Sequence, residues 1–135
     1  MPRGISDALL SPSVALAASS AAPSYSDAIA TGQSARGSFV APIEFELALP
    51  ALNVTQLPNG ETSTITVETD ADESFGSPTM LCSFEQVGAG GAGAAAASHG
   101  FGLPNNVERF IRLRCTVSAG AGDCSAATAS LTFRI

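Results

Sequence analysis

The sequence has no tryptophan and no lysine, and its one tyrosine is Tyr25. Sugar-binding faces usually present aromatic platforms, so this composition disfavours carbohydrate recognition. The six basic residues are all arginine, against twelve acidic residues, which gives a net charge of −6. An acidic chain without basic clusters lacks the positive charge that binds nucleic-acid phosphates or an anionic membrane surface. We therefore expect no direct contact with nucleic acid or with a membrane.

Motifs for metals and cofactors are also scarce. The cysteines Cys82, Cys115 and Cys124 form no C-x-x-C pair and have no histidine nearby, so no zinc site is predicted. We interpret them as small strand or core residues with free thiols. Cys115 and Cys124 flank one connector, and the sequence alone leaves open whether they pair, because a disulfide requires a particular geometry. No glycine-rich segment follows a phosphate-binding pattern, so no cofactor is expected.

The candidate catalytic groups have simpler interpretations. Glu44 and Glu46 could serve as paired carboxylates, but alternate positions on a strand are more typical of a solvated face. Residues 70–73 form an acidic turn that lacks the spacing, central glycine and distal glutamate of a calcium loop. His99, the only histidine, has no nucleophile in a recognised motif beside it. We therefore predict no catalytic or metal-binding residues, and no enzyme.

No apolar run is long enough to span a bilayer. Residues 8–22 superficially resemble a signal peptide, but Ser11 and Pro12 interrupt the apolar region and Asp7 stands where positive charge belongs. We do not expect this segment to be a signal peptide.

The C-terminal region carries the clearest structural pattern. Between residues 111 and 117, apolar side chains alternate with Arg112, Arg114 and Thr116. This is the period of a half-buried strand, and it places the arginines on the face opposite the apolar one. The alternation resumes over residues 127–135 after a connector rich in small residues. Two such segments predict an antiparallel hairpin that needs a second sheet to cover its apolar face.

Further strands are predicted over residues 43–49, 62–69 and 79–87, with a short one near residues 28–31. Residues 88–98, rich in glycine and alanine, are predicted to be a mobile surface loop. Many short strands separated by Gly, Pro and Asn turns predict an all-β, single-domain antiparallel β-sandwich. A jelly roll is favoured over an immunoglobulin-like sandwich, because the Cys-Trp-Cys signature of immunoglobulin domains is missing.

The N-terminal region has two interpretations. Residues 1–25 form either an arm or the first strand, beside a β-sandwich domain of residues 26–135. Their apolar stripe comprises Leu9, Leu10, Val14 and Leu16. If the segment is an arm, these four side chains are interface residues that pack on a neighbouring subunit.

Three further segments are distinctive: ISDALLSPSVALAAS, ETSTITVETDADESFGSPTMLCS and NNVERFIRLRCTVSAGAGD. Together they resemble segments of the capsid cement, or decoration, proteins of tailed bacteriophages, the family typified by the Bordetella phage cement protein. The resemblance implies a jelly roll that forms small homo-oligomers, dimers or trimers. It implies the major capsid protein as partner, a place on the outer capsid surface of the virion, and synthesis in the host cytoplasm. It supplies no catalytic residues.

We therefore expect one of two functions. The first, which the resemblance implies, is a structural virion protein that binds the outside of an icosahedral phage head and stabilises contacts between major capsid subunits. The alternative is a secreted β-sandwich that binds carbohydrate or a surface receptor.

Overall fold

In the computed structural model, residues 12–30, 44–102 and 106–134 are described. Their regular secondary structure consists of nine β-strands, and none of these residues forms a helix that is long and apolar enough to cross a membrane. The strands are β1 (Ser13–Ala15), β2 (Ser24–Tyr25), β3 (Ile29–Ala30), β4 (Glu44–Leu49), β5 (Thr62–Asp70), β6 (Thr79–Val87), β7 (Ala97–Gly102), β8 (Phe110–Val117) and β9 (Thr128–Arg134).

The strands form two antiparallel sheets. The first sheet has the order β1-β9-β4-β7, and the second has the order β2-β8-β5-β6, with β3 also paired to β8. Strands β2 and β3 act as one interrupted strand, because Ser26 between them accepts and donates hydrogen bonds with the backbone of Leu113. With β2 and β3 counted together, the first strand pairs with the last, the second with the seventh, the third with the sixth and the fourth with the fifth. This nested pairing is the jelly roll.

Alternation along each strand explains why the sheets pack together. In β8 the burial pattern alternates strictly between half-buried and buried residues, and in β4 every second residue is buried. Successive strand residues point to opposite faces, so each sheet offers one apolar face to the other. The largest fully buried apolar side chains of the resulting core are Phe45, Leu16, Leu47, Leu57, Ile65, Ile111, Leu113 and Leu131.

The prediction of an all-β sandwich is confirmed, and β6 has the predicted bounds, Thr79–Val87. The predicted C-terminal hairpin is wrong. Strands β8 and β9 lie in different sheets, where β8 pairs with β5 and β9 pairs with β4. The connector between them therefore crosses from one sheet to the other, and each strand buries its apolar face against the opposite sheet.

The glycine- and alanine-rich segment is held in place by backbone hydrogen bonds. Gly88 donates its N–H to the carbonyl of Glu61 at 2.8 Å, and Leu52 and Ala94 bond to each other through both backbone groups. A Cβ at Gly88 would lie 2.1 Å from the carbonyl oxygen of Pro58, so only glycine allows this approach. These contacts fix the predicted surface loop at its two ends, and the last two residues of the predicted loop, 97 and 98, belong to β7. The segment leads into β7, whose sequence ASHGFG carries too few apolar residues to signal a strand.

The N-terminal segment belongs to the sandwich from residue 12 onward. Strand β1 pairs with β9, and Val14 and Leu16 are 3% and 1% exposed within the core. The prediction that Val14 and Leu16 are interface residues is therefore wrong, because their side chains have intramolecular partners. Leu9 and Leu10 lie outside the described residues. Of the two interpretations of this region, the first-strand interpretation holds for residues 13–15.

We expect Leu113→Ala to lower the free energy of unfolding by about 2–5 kcal/mol, because it removes a fully buried side chain and leaves a cavity. Thr116→Ala in the same strand changes a half-buried residue of the opposite face and should cost less than about 1 kcal/mol. Urea denaturation of both variants measures the difference. Equal losses of unfolding free energy in the two variants would contradict the assignment of Leu113 and Thr116 to opposite faces of β8.

Deleting residues 1–20 should destabilise the free protein, because it removes β1 from the edge of β9 and takes Leu16 out of the core. Leu16→Ala alone should cost about 2–5 kcal/mol, whereas Ser13→Ala, on the exposed face of β1, should stay within about 0.5 kcal/mol. Thermal melts of the three proteins test this. An unchanged melting temperature for the truncated chain would restore the arm interpretation.

Candidate interaction surface

The outer face of the second sheet carries an arginine cluster, which we define as Tyr25, Glu68, Phe75, Arg112 and Arg114. Because Ile111, Leu113 and Cys115 point into the core, the arginines between them lie on the opposite face of β8. The antiparallel register places Glu68 of β5 opposite Arg112 and Tyr25 of β2 opposite Arg114. The cluster thus joins three neighbouring strands.

Arg112 is clamped between two aromatic rings. Its Cζ lies 4.2 Å from the ring centroid of Tyr25 and 4.2 Å from that of Phe75. Its Nε donates a hydrogen bond of 2.9 Å to Oε2 of Glu68. A planar guanidinium can stack against both rings while its N–H groups donate hydrogen bonds within its own plane. A lysine ammonium cannot do both. The side chain is consequently only 18% exposed, although it lies on the outer face of the sheet.

Glu68 is the most enclosed charge of the cluster, with a side chain that is 7% exposed. Arg112 supplies its close hydrogen bond, while Nη1 of Arg114 lies 3.9 Å from Oε1 of Glu68, beyond hydrogen-bonding distance. The side chain of Arg114 is 40% exposed, and its buried Nε has no hydrogen-bond partner among the described residues. Arg114 is therefore held less tightly than Arg112.

The acidic turn before Phe75 positions its ring. The two carboxylate oxygens of Asp70 accept the backbone N–H groups of Asp72 and Ser77, at 3.0 and 2.9 Å. These hydrogen bonds, first that from Asp72 and then that from Ser77, lower the pKa of Asp70 below its ordinary value. Phe75 then donates its N–H to the carbonyl of Asp72 and adopts a left-handed φ of 51°, a conformation that costs a non-glycine residue energy. The turn thus holds Phe75 over Arg112.

Exposed apolar side chains surround the cluster. Tyr25 is 48% exposed, and Met80, the cross-strand neighbour of Glu68 on β6, is 61% exposed. Tyrosine, methionine and arginine are enriched at protein interfaces, where rigid anchors lose little conformational entropy on binding. The arrangement offers a preorganised surface for another protein.

The residues weighed as catalytic groups are dispersed. Glu44 is exposed on β4, and Oε1 of Glu46 accepts a hydrogen bond from the Ser98 hydroxyl at 2.9 Å. His99 stacks on Phe84, with ring centroids 4.6 Å apart, where β7 of the first sheet approaches β6 of the second. Asp72 belongs to the turn that holds Phe75. Among the described residues, no three His, Cys, Asp or Glu side chains gather as metal ligands.

All three cysteines are free thiols, which confirms the interpretation of them as strand and core residues. Cys115 accepts the N–H of Ala17 at 3.4 Å, and the thiol of Cys124 donates to the carbonyl of Gln56 at 3.4 Å. Burial raises the pKa of Cys115 and raises that of Cys82 to about 11. The thiols are therefore protonated at neutral pH, and Cys115 and Cys124 do not pair.

Comparisons with known proteins give little guidance. The sequence matches no protein-family profile and no curated protein. One similar solved structure is a chain of the cowpea mosaic virus empty virus-like particle, determined by electron cryo-microscopy, with a TM-score of 0.39 and 11% sequence identity. The match covers 70% of this chain and 50% of that chain, so this chain spans about half of its length. At such values the likeness supports no argument about function.

Arg112→Ala should lower the free energy of unfolding by about 2 kcal/mol, because it leaves the enclosed Glu68 carboxylate without its close hydrogen bond. Arg114→Ala removes only a longer, exposed contact and should cost less than about 1 kcal/mol. Arg112→Lys should recover little of the loss, since lysine cannot stack and donate together. Chemical denaturation of the three variants measures these effects. Equal losses at Arg112 and Arg114 would show that the clamp does not stabilise the fold.

Proposed function

We propose that this chain is a structural protein of a virus particle. In this role it is a cement, or decoration, protein that binds the outer surface of an icosahedral tailed-phage head and bridges neighbouring major capsid subunits. Its partners are then the major capsid protein and further copies of itself, assembled after synthesis in the host cytoplasm. The resemblance of three sequence segments to that family motivates the proposal.

The observation that carries the proposal is the arginine cluster. A cement protein has to recognise a preformed protein surface, and the cluster offers an arginine locked between two rings beside a half-exposed tyrosine. Such anchors typically dominate binding energy at an interface. The cluster lies on the outer face of a sheet, so it can contact a partner while the core of the jelly roll stays intact. A jelly roll is also a common architecture of capsid domains, although a fold by itself assigns no function.

Weak individual contacts suffice for this role. A shell repeats the same binding surface many times, and a decorating oligomer that contacts several subunits gains from high effective concentration. Each contact can therefore be modest while the decorated particle is stable. The exposed part of the Arg114 side chain and the exposed ring of Tyr25 are the groups that we assign to the capsid contact.

The test is cosedimentation of the purified chain with undecorated shells built from the major capsid protein of the phage that carries this gene. We expect saturable binding that falls about tenfold or more in Tyr25→Ala or Arg114→Ala, since truncating an interface anchor costs about 1–2 kcal/mol. Val54→Ala, at an exposed residue between β4 and β5, is the matched control and should bind as the unmodified chain does.

Two results would overturn the proposal. One is failure of the folded chain to bind shells at any concentration. The other is specific retention on immobilised polysaccharide without shell binding, which would favour the secreted carbohydrate-binding module.

A further inference from the structure

Arg114 carries the surplus positive charge of the arginine cluster. The cluster contains two cations, Arg112 and Arg114, and one anion, Glu68. Oε2 of Glu68 accepts its hydrogen bond from Nε of Arg112 at 2.9 Å, whereas Nη1 of Arg114 lies 3.9 Å from Oε1, too far for a hydrogen bond. One positive charge is therefore left over on the outer face of this sheet, in a chain whose net charge is −6.

A partner can reach this charge. The side chain of Arg114 is 40% exposed, whereas those of Arg112 and Glu68 are largely enclosed. The Nε atom of Arg114 is buried, so a partner reaches the guanidinium only at Nη1 and Nη2. Two nitrogens of a guanidinium can hold the two oxygens of a carboxylate in parallel hydrogen bonds, a geometry that a lysine ammonium does not offer.

The side chains next to Arg114 on this face are uncharged and carry hydroxyl groups. The antiparallel register places Tyr25 of β2 on one side of Arg114 and Thr66 of β5 on the other. Two residues further along β8, Thr116 lies opposite Thr64 of β5. Directly opposite residues on neighbouring strands have Cβ atoms about 4.5–5.5 Å apart. An anion at Arg114 therefore meets hydroxyl donors beside the guanidinium.

Two other carboxylates on strands of this face lie well away from Arg114. Glu85 of β6 is opposite Thr64, two strands and two residues from Arg114, which corresponds to roughly 12 Å between Cα atoms. Asp70 is opposite Phe110, one strand and four residues away, or roughly 14 Å. Charges separated by more than about 10 Å are largely screened at 0.1 M salt. Neither carboxylate takes the place of a direct partner for Arg114.

We propose that the capsid partner presents an acidic side chain, aspartate or glutamate, to Arg114 beside the ring of Tyr25. The inference rests on the proposed function, because it names the chemical group that this surface takes from its partner. Arg114 and Tyr25 are directly opposite on neighbouring strands, so a partner that covers the ring also covers the guanidinium. Covering a cation without an acceptor of opposite charge is unfavourable, and a carboxylate supplies both the charge and the acceptor.

Other occupants fit this surface less well. A basic side chain is repelled by Arg114, and an apolar one leaves the guanidinium without an acceptor. A nucleic-acid phosphate could accept the same pair of hydrogen bonds. Its backbone, however, brings a row of negative charges against a chain of net charge −6, whereas a single carboxylate on a folded protein does not.

The first experiment uses the free chain and a short peptide, blocked at both ends, in which glutamate alternates with alanine. The chain has one tyrosine and no tryptophan, so its intrinsic fluorescence reports on Tyr25 alone. We expect a saturable change of this fluorescence with the glutamate peptide, and none with the same peptide carrying glutamine instead. Arg114→Gln should raise the dissociation constant at least about tenfold, because hydrogen bonds between charged groups are the strong ones.

Arg109→Gln is the matched control, because it removes the same charge from an exposed residue outside the cluster, just before β8. It should bind the glutamate peptide as the unmodified chain does. Equal losses in Arg109→Gln and Arg114→Gln would show that overall charge holds the peptide. An equal response to the glutamine peptide would show that no carboxylate is recognised. Either result would overturn the inference.

The second experiment removes the carboxylates of the partner. Undecorated shells are treated with a water-soluble carbodiimide and ethanolamine. Each exposed carboxylate then becomes a neutral amide, and the carbodiimide takes up the lost water and leaves as a urea. The capped shells should bind the chain at least about tenfold more weakly. Shells acetylated on their lysines are the control and should bind as untreated shells do, and electron microscopy checks that both kinds stay intact.

The acidic contact and the proposed capsid role can fail separately. A chain that binds untreated and carboxylate-capped shells equally well would refute the acidic contact and leave the proposed function standing. A chain that binds the glutamate peptide through Arg114 but binds no shell would refute the capsid role, and the acidic partner would then be another protein. A chain that responds to neither would refute both.

Discussion

The fold depends on the central position of the two C-terminal strands. Strand β8 lies between β2 and β5 in one sheet, and β9 lies between β1 and β4 in the other. Removing either strand would split a sheet and expose its buried face. Between them, Cys124 of the connector donates its N–H to the carbonyl of Ala17, which ties the N-terminal segment to the C-terminal one. Each layer is therefore completed by residues from opposite ends of the chain.

This arrangement explains what the sequence could predict. Strand β6 and the inward face of β8 were predictable because alternation is a local property that period-two patterning reveals. The pairing of β8 and β9 was not, because the sequence shows their adjacency along the chain and not that the connector crosses the sandwich. The burial of Val14 and Leu16 was undecidable for the same reason, since their backbone partners, Ala129 and Ala127, lie more than a hundred residues away along the chain.

The candidate site could likewise be predicted only in part. The outward direction of Arg112 and Arg114 was predictable from the pattern of β8, but their surroundings were not. Tyr25 and Phe75 meet Arg112 only because β2 adds to β8 and because the turn after β5 folds over the sheet.

The glycine-rich segment between β6 and β7 has a practical consequence for engineering. Gly88 and Gly93 lie against backbone carbonyl oxygens that a Cβ would approach to 2.1 Å, so neither position accepts a larger residue without displacement of the backbone. Gly91, between them, has open space around its Cα and no left-handed φ. A foreign peptide grafted at Gly91 would project from a loop whose two ends are fixed at Gly88 and Gly93. This position is therefore the natural point of attachment for an epitope tag or a displayed antigen.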